Sequence, residues 1–144
     1  KPLSTLRVTI RNNCGKWEHS TSTGIRGIIQ IDDRLIPQVN SEYNSWKGPG
    51  TAFGFAGQDP TYTAKTLAQL QTLGIEANSV AADPSFVDED ANNYDLTSGS
   101  AIAFVGQKLT HVRRDYLLRD RHINASTGAQ DFPTSIGAVQ IIDC

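Results

Sequence analysis

The sequence predicts an all-β fold arranged as a solenoid, and three observations support this prediction. Short stretches alternate apolar and polar residues, which is typical of strands with one buried face. The intervals between these stretches are unequal, and this favours solenoid coils with loops of different lengths over a hairpin meander. Only one segment has the periodicity of a helix. With 144 residues, the chain is large enough for one domain with a buried core.

Three strands are predicted in the first third of the chain. The first covers residues 6–11, with its three apolar residues facing inward. Asn12 and Asn13 end it, because asparagine tolerates a left-handed backbone and bonds its own main chain. A second strand is predicted for residues 24–32 and a third for residues 39–46.

A helix is predicted for residues 63–74. Thr63 suits the N-cap, and Gly74 suits the position after the last turn. Helical spacing places four apolar residues on one stripe that must cover another part of the protein: Ala64, Leu67, Ala68 and Leu70.

The most informative stretch is residues 83–106. It contains Asp-Pro, then Phe-Val-Asp, an acidic turn, Tyr-Asp-Leu, and Gly-Ser ahead of a closing glycine. This order resembles the last coils of right-handed parallel β-helix proteins, which include polysaccharide lyases, pectin-acting enzymes, phage tailspikes and surface adhesins. The resemblance extends over residues 39–140. In such proteins an asparagine in a turn often stacks on an asparagine of the next coil, so the resemblance implies stacking for Asn12 and Asn13, and a plain turn is the alternative.

The resemblance implies an organisation of the chain. Residues 1–106 are expected to form coils of the β-helix, with the helix at 63–74 as an insertion. Residues 107–144 are expected to form a tail that covers the last coil, because an uncovered coil presents unpaired backbone and an apolar cross-section. The chain starts at Lys1 without an initiator methionine, so we expect a processed or excised segment whose first coil contacts further coils or another subunit.

The resemblance also implies a function. The chain is expected to be the C-terminal part of an extracellular or cell-surface protein that binds or degrades polysaccharide, with a structural or substrate-binding role. Any activity would be lyase-like or glycoside hydrolase-like, with the main active centre outside this chain. The alternative is a non-catalytic module of a virion, such as a phage tailspike, or of a surface adhesin.

Composition narrows the partners. A formal charge of −2 and a pI near 5.9 provide no electrostatic basis for binding nucleic acid or an anionic membrane. No apolar run approaches the roughly 20 residues of a membrane span. The two cysteines, Cys14 and Cys144, allow one disulfide or two unpaired thiols. No nucleophile elbow, phosphate-binding loop or zinc motif is present, so no catalytic residue is predicted.

A polar strip is predicted on the outer face of the first strands. β-Helix enzymes that cleave acidic polysaccharides use arginine or lysine to neutralise a sugar carboxylate, so the resemblance implies this role for the arginines of the strip. Tryptophans in nearby loops can stack on sugar rings. The plain interpretation is that polar residues face water on any half-exposed sheet and that Trp46 packs in the core. The candidate residues are Arg7, Arg11, Arg26, Gln30, Asp32, Glu42, Asn44, Trp17 and Trp46.

The acidic turn offers the only metal candidates. Asp88 and Asp90, with Glu89 between them, provide the oxygen ligands that calcium prefers. The EF-hand spacing is absent, and a solvated turn explains the same residues. The sequence therefore favours no cofactor, with calcium as the alternative.

Overall fold

The computed structural model describes residues 7–16, 27–48 and 50–107, together with residues 109, 114, 118 and 136. Most of the regular structure in this part is β, as the sequence predicts. Among these residues, no helix combines the length and the apolar character needed to cross a bilayer.

The described part contains nine strands, one α-helix and one 3-10 helix. In chain order they are β1 (Val8–Arg11), β2 (Cys14–Lys16), β3 (Ile29–Asp32), a 3-10 helix (Asp33–Gln38), β4 (Val39–Glu42), β5 (Ser45–Lys47), β6 (Gly54–Gln58), β7 (Thr61–Lys65), α1 (Leu67–Thr72), β8 (Phe86–Asp88) and β9 (Asn93–Leu96).

Three pairs of strands run parallel. β1 pairs with β4, β2 with β5, and β3 with β6. In the turn between strands, Asn13 bonds Asn44, 31 positions later in the chain. Ser45 in turn forms a parallel bridge with Val80. Three passes of the chain therefore lie side by side at this point.

The predicted third strand is divided into β4 and β5. Tyr43 lies between them with φ of 55°, and a left-handed residue breaks the extended backbone. Asn12 has φ of 56° in the equivalent place between β1 and β2. The prediction that asparagine ends the first strand is confirmed. In the predicted second strand, Ile29 and Ile31 are buried as expected, while residues 24–26 lie outside the described part.

The predicted helix begins later than expected. Residues 61–65 form β7, which pairs antiparallel with β6. Threonine and tyrosine favour a strand, and the edge of β6 supplies the hydrogen bonds. The N-cap is therefore Thr66 and not Thr63, and it forms a capping box with Gln69. Gly74 follows the helix with φ of 87°, as its predicted role requires.

Residues 83–97 form the predicted strand, acidic turn and second strand. The two strands pair with each other in an antiparallel hairpin, so they do not extend the parallel pairs. Phe86 and Tyr94 meet edge to face, with ring centroids 5.5 Å apart.

The core consists of two clusters. Helix α1 closes the larger one, and it approaches β6 at Gly54, where an added Cβ would lie 3.1 Å from Leu70 Cδ1. In the smaller one, Ile136 donates a 2.9 Å backbone hydrogen bond to Ile102. The buried residues are Ile29, Ile31, Phe53, Ala56, Leu70 and Ile75 in the larger cluster, and Leu96, Ile102 and Ile136 in the smaller.

Candidate functional site

The polar strip predicted from the sequence is divided between two sheets. Arg11 and Glu42 are opposite each other on β1 and β4. Gln30 and Asp32 lie on β3, which pairs with β6 and not with β1. The prediction of one continuous strip is therefore wrong, because the second predicted strand belongs to a different sheet. Arg7 precedes β1 and is exposed, whereas Trp17 and Arg26 lie outside the described residues.

Arg11 and Glu42 form a closed ion pair. Arg11 Nη2 lies 2.6 Å from Glu42 Oε1, and Asn78 Nδ2 donates to Glu42 Oε2 at 3.2 Å. Both carboxylate oxygens are thus engaged by neighbouring passes of the chain. Only 24% of the arginine and 17% of the glutamate side chain is exposed. This arrangement links the three passes of the chain that contain Arg11, Glu42 and Asn78. It leaves little of the Glu42 carboxylate accessible to a ligand.

Asp32 is engaged with its own turn. Its Oδ1 accepts from the Arg34 backbone N–H at 2.9 Å and from Nε at 2.8 Å, and its Oδ2 accepts from Nη2 at 2.6 Å. The hydrogen bonds from the Arg34 side chain, and then from its backbone, lower the pKa of Asp32 from 3.8 to about 2. The aspartate therefore caps the 3-10 helix as a fully ionised group.

Asn44 is completely buried, so its predicted place on the outer strip is wrong. Its side-chain oxygen accepts from the backbone N–H and from Nδ2 of Asn13, each at 3.0 Å. Its Nδ2 donates to Glu76 and to the Ser41 hydroxyl. The left-handed turn at Tyr43 directs this side chain between the passes of the chain. Asn13 and Asn44 therefore hydrogen-bond across adjacent passes of the chain, whereas Asn12 bonds Gln107.

In the acidic turn, Glu89 and Asp88 contact other groups of the protein. Glu89 forms a salt bridge with Lys16, which also lies 3.5 Å from Asp83. Asp88 Oδ1 accepts from the Ala91 backbone at 3.1 Å and shapes the turn, while Asp90 is exposed. Across the described residues, no group of three or more histidine, cysteine or acidic side chains is arranged to hold a metal ion.

Trp46 lines a cleft of about 400 Å³, at the lower end of the range of small-ligand sites. The indole packs against the larger core cluster on one side, as the plain interpretation predicted. The cleft lies between the end of β5, the following loop and the start of α1. We call it the Trp46 cleft; its walls include Trp46, Lys47, Thr51, Phe53, Thr66 and Leu67.

The Trp46 cleft combines an aromatic and apolar wall with a few polar groups. Lys47 is exposed and carries the positive charge, and Thr51 and Thr66 contribute hydroxyls. Trp46 Nε1 is buried, and no group in the described part of the chain accepts its hydrogen bond. A buried indole N–H normally has a partner, so a hydroxyl or other acceptor would be favourable beside it. Such a site suits a ligand with flat apolar faces and hydroxyls at its edges.

Comparison of the chain with models of protein families, with curated proteins and with solved structures finds no match.

Sequence reasoning identified Trp46 but missed the other walls of its cleft. Lys47, Thr51 and Thr66 carry no motif. Thr66 reaches the cleft because it caps α1, and that helix begins later than its periodicity suggests. The capping box between Thr66 and Gln69 was the one signal in the sequence that could have placed it.

Proposed function

We propose that this chain is part of a right-handed parallel β-helix protein that binds polysaccharide, and that the Trp46 cleft is a sugar-binding subsite. On this proposal the segment binds substrate and leaves catalysis to another part of the protein. The protein acts outside the cell, on a cell surface or on a virion. The observation that carries the function is the aromatic cleft, in which the indole N–H has no acceptor among the described residues.

The parallel strand pairs support the fold. A hairpin meander pairs neighbouring strands antiparallel, whereas a solenoid pairs each strand in parallel with its counterpart one coil later. β1, β2 and β3 all pair with such later strands. Asn13 contacts Asn44 after 31 positions, and Asn44 contacts Ser79 after a further 35, as coils with loops of different lengths would allow.

The chemistry of the cleft supports a carbohydrate ligand. A sugar ring presents C–H groups on its faces and hydroxyls around its edge, so it matches an aromatic wall bordered by donors. Trp46 supplies the wall, and Lys47 and the threonine hydroxyls supply the polar border. An aromatic side chain also contributes a large contact area with little loss of conformational freedom.

The carboxylates of Asp32 and Glu42 are held by other side chains of the protein, and this favours a role in binding over a role in catalysis. Acid–base cleavage of a glycan requires a carboxylate or another base that is open to the substrate. Glu42 is held by Arg11 and Asn78, and Asp32 by Arg34. The two acidic residues of the predicted strip are therefore occupied as structural groups.

The test is a panel of neutral and acidic oligosaccharides, titrated by calorimetry. We expect at least one to bind, and Trp46→Ala to weaken it by about tenfold or more, equivalent to about 1.4 kcal/mol. Lys47→Ala should reduce binding of acidic members of the panel most. Lys65→Ala is the matched control, because this lysine of β7 is not among the lining residues, and it should weaken binding of the acidic members much less than Lys47→Ala.

Two outcomes would overturn the proposal. The carbohydrate assignment fails if no oligosaccharide binds, or if Trp46→Ala folds normally and binds as tightly as the unmodified chain. The binding role is overturned separately if the isolated 144 residues release reducing ends from any polysaccharide in the panel.

A further inference from the structure

The indole of Trp46 lies against a glycine from the preceding pass of the chain. Gly15 on β2 is the register partner of Trp46 on β5. A Cβ added to Gly15 would lie 2.6 Å from Trp46 Cε3 and 2.7 Å from Cζ3. Real Cβ atoms do not approach other heavy atoms so closely, because van der Waals repulsion is steep at this distance. The six-membered ring therefore occupies the space that any other side chain at position 15 would require.

The crowding at Gly15 comes mainly from the indole. The third contact of the added Cβ would be Ile28 Cδ1 at 3.7 Å, which is an ordinary van der Waals distance. Space for a methyl group can therefore be made by displacing the indole. Displacing Ile28 would not provide it.

A second glycine borders the other end of the same ring system. A Cβ on Gly48 would lie 3.0 Å from Trp46 Nε1 and 3.5 Å from Cε2. Gly48 also lines the Trp46 cleft. The indole thus has a glycine beside its six-membered ring and another beside its N–H, and a side chain at either position would crowd the ring.

We propose that Gly15 is a positioning residue that sets the orientation of the Trp46 indole and, through it, the affinity of the cleft for its ligand. This inference rests on the proposed carbohydrate function. Gly15 is not among the residues that line the cleft, so it acts only through the ring. A ligand that stacks on Trp46 requires the plane of the indole in a defined place. A displaced indole narrows the cleft or tilts its aromatic wall, and the ligand then fits less well.

The first test compares Gly15→Ala with Gly99→Ala, both in a Trp17→Phe background so that Trp46 is the only fluorophore of its type. An added Cβ at Gly99 meets no atom within 4 Å. We expect Gly15→Ala to shift the emission of Trp46 and to weaken oligosaccharide binding about tenfold. Gly99→Ala should change neither. Unchanged emission and affinity in a folded Gly15→Ala protein would overturn the inference.

Gly15→Ala can also lower stability, and a double variant separates this effect. Trp46→Leu removes the six-membered ring that the new methyl group would meet. In that background, the reduction of the urea midpoint caused by Gly15→Ala should largely disappear, because the cause of the strain is gone. An equal reduction in both backgrounds would place the effect in the backbone of β2 and overturn the inference.

The outcomes distinguish this inference from the function on which it rests. If Trp46→Ala leaves binding unchanged, the carbohydrate assignment fails, while the emission of Gly15→Ala still tests the position of the ring. If Trp46→Ala abolishes binding and Gly15→Ala alters neither emission nor affinity, the assignment stands and the role of Gly15 is overturned.

Discussion

The Asn44 amide donates a 3.0 Å hydrogen bond to the Glu76 carboxylate, and neither side chain is exposed to solvent. The same carboxylate accepts from the hydroxyl of Ser41 and, at 2.5 Å, from that of Ser79. A carboxylate removed from water is tolerated only when donors replace the lost hydration. The network therefore joins adjacent passes of the chain by hydrogen bonds that exist only when those passes are in register.

Removing the Glu76 carboxylate should destabilise the protein strongly. Glu76→Ala leaves the buried hydroxyls of Ser41 and Ser79 without an acceptor, at about 1–3 kcal/mol for each unsatisfied group, and removes one of the acceptors of the Asn44 amide. We expect a loss of about 3 kcal/mol or more, measured by urea unfolding, and a smaller loss for Glu76→Gln, which preserves the shape. The control is Asp90→Ala, which removes an exposed carboxylate of the acidic turn and should cost about 0.5 kcal/mol or less. Equal losses at both positions would contradict this view of the network.

Asn12 ties the first described turn to Gln107. Its Nδ2 donates to the Gln107 carbonyl at 2.7 Å, and its Oδ1 accepts from the Gln107 N–H at 2.9 Å. We expect Asn12→Gly to lose about 1–3 kcal/mol for two hydrogen bonds. Asn12→Ala should lose about 1 kcal/mol more, because φ of 56° is unfavourable for alanine. Thermal or urea unfolding of both variants measures the two losses. A smaller loss for Asn12→Ala than for Asn12→Gly would contradict this prediction.

Asp32 should contribute to stability only above strongly acidic pH. Its folded-state pKa of about 2 is below the ordinary 3.8, because Arg34 donates to the carboxylate. The contribution is therefore fully present above about pH 4 and is lost as the pH falls through about 2. Carboxyl NMR titration should show a midpoint near pH 2, which Arg34→Gln should raise towards 3.8. A midpoint near 3.8 in the unmodified chain would contradict the hydrogen bonds assigned here.

The Cys14 thiol should be unreactive in the folded protein. Burial, and then the negative charge of Asp83, raises its pKa from 9.0 to about 12. Its contribution to stability is thus complete below about pH 9 and declines as the pH rises through about 12. In a Cys144→Ser background, alkylation at pH 8 should be slow in buffer and fast in urea. Asp83→Asn should leave it slow, because burial is the larger cause; rapid native alkylation would contradict the burial of Cys14.

Local patterns in the sequence determined the β character of the protein, its turns and part of its core. Alternation placed Ile29 and Ile31 inside, and the conformational tolerance of asparagine predicted the turn at Asn12. The strand, acidic turn and strand within residues 83–97 followed from the same kind of signal. These features depend on neighbours within a few positions, where backbone sterics and side-chain period act directly.

Only the tertiary structure decided how the passes of the chain pair, and this pairing determined the site. The period of the predicted helix gave no sign that residues 61–65 would join β6, because that choice depends on an available strand edge. The burial of Asn44, the separation of Asp32 from Glu42 and the contact of Gly15 with Trp46 all follow from register between segments distant in sequence. A shift of register by one residue turns every side chain to the opposite face, and hydrogen bonds and packing across the passes decide between the alternatives.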